Sequence, residues 1–237
     1  MPIFLGDIMK LSNPFKDLKK FDIILWLTSV AVIIVSFALS GGSDIVNMIT
    51  SVIGVTALIF VANGLVFGQA LLILFALLYG LISLYFGYYG EMITYVFMSL
   101  PCAVIALFSW LKHPYKDTNR VTVNKLKAIH FIFVAIVSLV GAFIFYFILK
   151  ALNTENLYIS TFSVATSLFA ATLTYLRSPY YAIGYAVNDI VLIILWVYAS
   201  VSDISYLPMV ACFVTFLAND SYGFYNWKKM QKMQNEN

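Results

Sequence analysis

Eight apolar stretches, each close to the length that crosses a bilayer, fill most of this chain. A helix needs about 20 apolar residues to traverse a hydrocarbon core of about 30 Å. The stretches fall at roughly 21–40, 45–62, 69–87, 92–110, 128–149, 157–176, 180–200 and 205–227. In lipid each backbone amide must find its partner inside the segment, so such runs fold as helices. Composition agrees: 62% of the 237 residues are hydrophobic, only 11% are charged, and mean hydropathy is +0.91. A soluble domain carries about a quarter charged residues. The sequence therefore reads as an all-α polytopic membrane protein of about eight transmembrane helices, with no room for a separate soluble catalytic domain. Residues 1–20 do not read as a cleavable signal, because no small-residue cleavage pattern follows the first apolar run.

Lys and Arg set the expected direction of the spans. With the N-terminus inside, the inner segments hold Lys10, Lys16, Lys19, Lys20, Lys112, Lys116, Arg120, Lys125, Lys127, Arg177, Lys228, Lys229 and Lys232. Only Lys150 falls outside, alongside the acids Asp44, Glu91, Glu155 and Asp203. Both termini are expected on the cytoplasmic side. Tyr85, Tyr88, Tyr89, Tyr198 and Tyr206 gather at the outer interface as an aromatic belt.

Offsetting the chain against itself by about 110 residues brings Val55–Leu58 onto Ala165–Leu168 and Cys102 onto Cys212. Spans two to four and six to eight have similar lengths and start on the same side. The expected plan is an N-terminal segment with an extra helix (1–44), a first three-helix bundle (45–110), a basic loop and linker helix (111–156), a second bundle (157–229) and a polar tail (230–237). Parallel repeats of this kind place a solute site between the halves near the midplane.

Polar groups converge in the last two spans. An Asp in mid-membrane costs roughly 2.5–3.5 kcal/mol on insertion scales, and such residues usually face the bundle interior or a wet cavity. Asn188-Asp189 and Asn219-Asp220 both lie eight residues from the inner end of their helix, about 12 Å deep. Cys212, Thr215, Asn219, Tyr222 and Asn226 form a stripe down span eight. Tyr185, Asp189 and Trp196 share a face of span seven, with Asn188 at its edge. The expected substrate-binding residues are Asn188, Trp196, Thr215, Asn219, Tyr222 and Asn226, suited to a ligand with a flat ring and several hydroxyls. Asp189 and Asp220 are expected as coupling or structural acids. The alternative reading is that these groups only tie helices together. Gly80, Ser83 and Gly87 read as a close-packing stripe, and Pro101 and Pro208 as kinks.

Catalytic motifs are absent, so a membrane-embedded enzyme or scaffold with the Asp pairs as catalytic or structural acids is the least favoured alternative. No Cys or His cluster has metal spacing, and no Gly-rich loop precedes a basic residue. The cysteines lie deep in apolar segments as small filler. Neither cofactor, metal nor nucleic acid is expected.

The run Tyr89-Gly90-Glu91-Met92, followed by Pro101 and Trp110, resembles the first repeat of the PnuC transporters. Arg177, Asn188, Trp196 and the run Tyr222 to Lys229 resemble the second, so the likeness covers about 45 to 229. The resemblance implies a SWEET-like fold of three helices, a linker and three helices, with an extra N-terminal helix. It implies uptake of the vitamin B3 nucleoside nicotinamide riboside across a bacterial inner membrane by facilitated diffusion. A cytoplasmic kinase would then trap the substrate, and the transporter would be a homotrimer. Tyr181 and Gly184 stand where many relatives carry W-x-x-W, which leaves open related solutes such as thiamine or deoxynucleosides.

Overall fold

Helices follow the apolar stretches closely. In the computed structural model, residues 13–41, 45–85, 87, 89–154, 156–202 and 204–236 are described, with the side chains of Ser202 and Ser205 left out. The expectations placed on Lys10, Asp44, Tyr88, Glu155 and Asp203 lie outside the described residues. The long helices are α1 (Lys20–Leu39), α2 (Ile45–Ala62), α3 (Val66–Tyr85), α4 (Tyr89–Leu111), α5 (Ala128–Ala151), α6 (Leu157–Tyr175), α7 (Tyr181–Ser202) and α8 (Leu207–Glu236). Among the described residues there is no strand, only the isolated bridges Leu65–Arg120 and Pro114–Val121. Seven of the helices, α1 to α7, are apolar and long enough to cross a membrane. The eighth, α8, is the longest at 30 residues, and its Asn, Asp and terminal Lys residues dilute its hydropathy.

Packing closes a ring. In it α2 rests on α3, α3 on α4, α4 on α6, α6 on α7, α7 on α8, and α8 returns to α2. Outside the ring, α1 covers the seam between α2 and α8, and α5 rests on α6. The outward faces are apolar: Ile24, Leu27 and Val35 on α1, and Ile129, Ile136, Leu139 and Phe143 on α5, are all exposed. Such a surface suits hydrocarbon, not water. This is a multi-pass membrane protein.

The seams between α4 and α6, and between α8 and α2, are made alike. Near the end of α4, Trp110 Nε1 donates to the Thr174 carbonyl at 2.9 Å and Ser109 Oγ to the Tyr175 carbonyl at 2.8 Å. Near Trp227 of α8, its Nε1 donates to the Val61 carbonyl at 2.8 Å and Asn226 Nδ2 to the Ala62 carbonyl at 2.9 Å. The accepting groups are among the last carbonyls of α2 and α6, where helix carbonyls run short of helical partners; those of Val61 and Thr174 also accept from the amides of Gly64 and Arg177. Both helices then leave through a left-handed residue. At Gly64 φ is +68° and at Arg177 it is +56°. The loop between α4 and α5 seals both turns, with Val121 N donating to the Gly64 carbonyl and Asn124 N to the Arg177 carbonyl. Arg177 also ties this loop down through Ser109 Oγ, His113 Nδ1 and the Thr122 carbonyl. Burial lowers its guanidinium from the ordinary value.

Helix α4 carries one π-helical turn over Tyr95–Ser99. Pro101 explains it: proline lacks an amide hydrogen and its ring crowds the carbonyl four residues back, so the preceding turn widens. Gly80 of α3 faces this turn so closely that a Cβ there would sit 2.5 Å from a Val96 methyl. The small-residue stripe expected on α3 stops short, because Gly87 is not helical but turns the chain with φ at +76°.

Candidate solute-binding site

A cavity lies at the centre of the ring, and all six of its helices contribute to it. Its apolar walls include Leu58, Leu72, Phe75, Met98, Phe213 and Phe216. The polar lining is Gln69 from α3, Tyr95, Ser99 and Cys102 from α4, Ser167 and Thr174 from α6, Tyr181, Tyr185, Asn188 and Asp189 from α7, and Asp220 from α8.

Several of these groups lack a protein partner. Gln69 is 1% exposed, yet neither its amide oxygen nor its nitrogen is hydrogen-bonded. The Tyr181 hydroxyl and one Asp189 carboxyl oxygen are in the same condition. Buried polar atoms are almost always paired, so orphans that converge on one cavity mark a place for a polar ligand. The Asp189 and Asp220 carboxyls lie in hydrogen-bond contact across the α7–α8 interface. Asn188 accepts from the Ser163 and Thr166 hydroxyls at 2.9 Å each. With its oxygen thus engaged, the amide can offer only its NH2 group to the cavity.

The structure divides the residues singled out in the sequence. Asn188, Asp189 and Asp220 meet in the central cavity. Trp196 does not; it lines a second, smaller cavity nearer the opposite end from Lys228 and packs on Tyr206 with ring centroids 5.6 Å apart. The span-eight stripe turns toward α1 and α2 instead of the cavity. Asn219 Nδ2 donates to Ser29 Oγ of α1 at 3.0 Å and to the Thr215 carbonyl. The Tyr222 hydroxyl donates to the Asp22 carboxylate of α1. Asn226 caps the end of α2, and Thr215 Oγ1 bonds the Cys212 carbonyl. The physical reason is helical geometry: consecutive residues lie 100° apart, so Asn219 and Asp220 occupy adjoining faces. The face of Phe213, Phe216 and Asp220 meets the cavity, and the neighbouring face meets the extra helix.

Asp22 explains that second face. It is fully buried, and one carboxylate oxygen accepts from the Lys19 amide at the start of α1, where helix geometry favours negative charge. Lys19 reaches Asn226 Oδ1 at 3.4 Å. Burial, followed by the field of Arg120, lowers its ammonium from the ordinary value, while Asp22 acts the other way.

Tyr185 was singled out on the polar face of span seven and lines the cavity, whereas Gln69 and Tyr95 were not anticipated. Gln69 had a signal, an amide in an apolar helix, but it fell at the presumed start of span three. The helix begins at Val66, which carries Gln69 inside. Among the described residues no cluster of His, Cys, Asp or Glu could hold a metal ion, and both cysteines are free.

Comparison with known proteins places this architecture. Residues 44–229 match the sequence model of a family described as nicotinamide mononucleotide transporter. A protein of Neisseria mucosa named nicotinamide riboside transporter PnuC is 26% identical over 189 residues, covering 78% of this chain and 72% of its own. Its namesake from Haemophilus influenzae is 23% identical over 190 residues, covering 79% and 81%. The crystal structure of the vitamin B3 transporter PnuC superposes with a TM-score of 0.79 at 23% identity, over 93% of this chain and 97% of that one, a likeness of fold. With a family match running from before α2 into α8 and a fold shared over 93% of its length, this chain belongs to the nicotinamide mononucleotide transporter family, whose members are transporters and not enzymes.

Proposed function

We propose that this protein carries nicotinamide riboside across the membrane through the central cavity. The observation that carries the reading is the set of unpartnered polar atoms on Gln69, Tyr181 and Asp189 lining one cavity. The solute has a matching set: a carboxamide, ribose hydroxyls and a cationic pyridinium. An amide such as Gln69 can pair with a carboxamide through two reciprocal N–H···O bonds. Asp189 and Asp220 supply negative charge for the ring, the faces of Tyr95, Tyr181 and Tyr185 supply cation–π contact, and the Asn188 NH2 is placed for a hydroxyl.

The halves are residues 45–110 and 157–229, and rocking between them exposes the cavity to each side in turn. The alike seams at Trp110 and Trp227 support that pairing of halves. The end bearing Lys112, Arg177 and Lys228 faces the cytoplasm, by the charge rule, and α8 crosses as the eighth span. The family resemblance supports facilitated diffusion in a bacterial inner membrane, trapping by a cytoplasmic kinase and a homotrimeric assembly.

Uptake of labelled nicotinamide riboside into proteoliposomes tests the reading. Wild-type protein is expected to equilibrate the solute, with Gln69→Leu and Asn188→Leu impaired. Transport of thiamine or a deoxynucleoside in its place would reassign the substrate. The Asp189–Asp220 contact favours one second reading, proton coupling, because a hydrogen bond between two carboxyl groups needs a proton on one of them. Accumulation above equilibrium under an imposed pH difference, lost in Asp189→Asn, would select it.

A further inference from the structure

The second, smaller cavity lies beyond the central one toward the end where α3 meets α4. Glu91, Tyr79, Trp196 and Tyr206 line it. The Glu91 carboxylate accepts hydrogen bonds from the Tyr79 and Ser83 hydroxyls. These contacts hold it beside the buried rings of Tyr79 and Trp196, 6% and 7% exposed. Between the two cavities stand Tyr79 and Tyr95, with ring centroids 4.4 Å apart. One ring of the pair lines each chamber.

A fixed carboxylate beside several aromatic faces is complementary to one class of ligand, a flat organic cation. The rings attract it through their negative faces and the carboxylate through its charge. A neutral ring of the same shape gains only the stacking. The expectation that Trp196 binds solute is thereby moved, from the central cavity to a separate place.

We infer that the Glu91 chamber is a second binding site, an antechamber that takes a pyridinium-type cation before the Tyr79–Tyr95 pair admits it to the central cavity. Its role in transit rests on the proposed carriage of a cationic riboside; its binding chemistry does not.

The test is calorimetric titration of the purified full chain with the methylnicotinamide cation, the pyridinium carboxamide without its sugar. Uncharged nicotinamide is titrated in parallel. Wild-type protein is expected to bind the cation roughly tenfold more tightly than the neutral amide, as one charge-assisted contact allows. Glu91→Gln keeps the hydrogen bonds to Tyr79 and Ser83 and should erase that preference. Trp196→Leu, with Glu91 untouched, should weaken the cation several-fold, and it decides the matter should Glu91→Gln fail to fold. No binding of the cation, equal binding of both ligands by wild type, or an affinity lost in Asp189→Asn but not in Glu91→Gln would each overturn the inference. Riboside uptake is read separately: failure there with an intact cation preference condemns the transport reading and leaves the antechamber standing.

Discussion

Gln69→Leu should make the protein more stable and a poorer binder at once. Leucine has a similar volume and keeps the helical propensity of α3. The wild-type amide is 1% exposed and makes no hydrogen bond to the protein through either polar atom. Buried unsatisfied groups cost about 1–3 kcal/mol, so the substitution should stabilise the ligand-free protein by about that amount. In a chain of this size about 1 kcal/mol corresponds to roughly 2–4 °C in Tm. Binding moves the other way. A carboxamide that has left water to meet leucine loses both reciprocal hydrogen bonds. The same penalty now falls on the complex, and Kd for nicotinamide riboside rises roughly tenfold to a hundredfold. Thermal unfolding of purified protein without ligand, followed by calorimetric titration, measures both signs. A lower Tm with an unchanged Kd would refute the reasoning, since it would show that the amide serves the fold and not the solute.

Trp227→Phe removes the indole bond to the Val61 carbonyl at 2.8 Å, which keeps the Gly64 amide, and should lower stability by about 0.5–1.5 kcal/mol, with Trp110→Phe costing a similar amount in the same thermal assay. Tyr222→Phe leaves the buried Asp22 carboxylate without its hydroxyl donor and should cost about 1.5–3 kcal/mol, while riboside affinity stays within twofold; a large change in Kd would put Tyr222 back among the binding residues. At Gly184 a Cβ would lie 2.9 Å from the Ala170 Cβ and 3.0 Å from its Cα, so Gly184→Ala should destabilise by about 1–3 kcal/mol. Gly184→Trp, which restores the second Trp of the relatives' pattern, should fail to accumulate as folded protein on size-exclusion chromatography.

Much of the architecture could be read from apolar run lengths. The stretch 45–62 coincides with α2, and 157–176 ends one residue past α6. The end of α8 was harder to see. Its last turns are polar, and what holds them is Met230, fully buried against Gly64, a contact that run length does not encode. The site was legible in depth but not in azimuth. Counting residues puts Asn188, Asp189, Asn219 and Asp220 at one level, yet their direction depends on which neighbour covers each face. The sequence did hold a clue for the Asn219 face, because Asp22 and Ser29 put polar groups inside the first span and they require partners there. Gly184 shows the same dependence: its place in the W-x-x-W pattern is visible in the sequence, while the close passage of α6 at Ala170 that explains it is not.

The paired indole bonds at one end of the ring carry a mechanical corollary. Each stitches the final helix of one half to the first helix of the other, so neither half can swing away while its counterpart stays fastened. Releasing one stitch would leave an indole N–H unpaired in an apolar crevice, while the Val61 and Thr174 carbonyls keep the amides of Gly64 and Arg177. Parting at that end would therefore require both indole bonds to go.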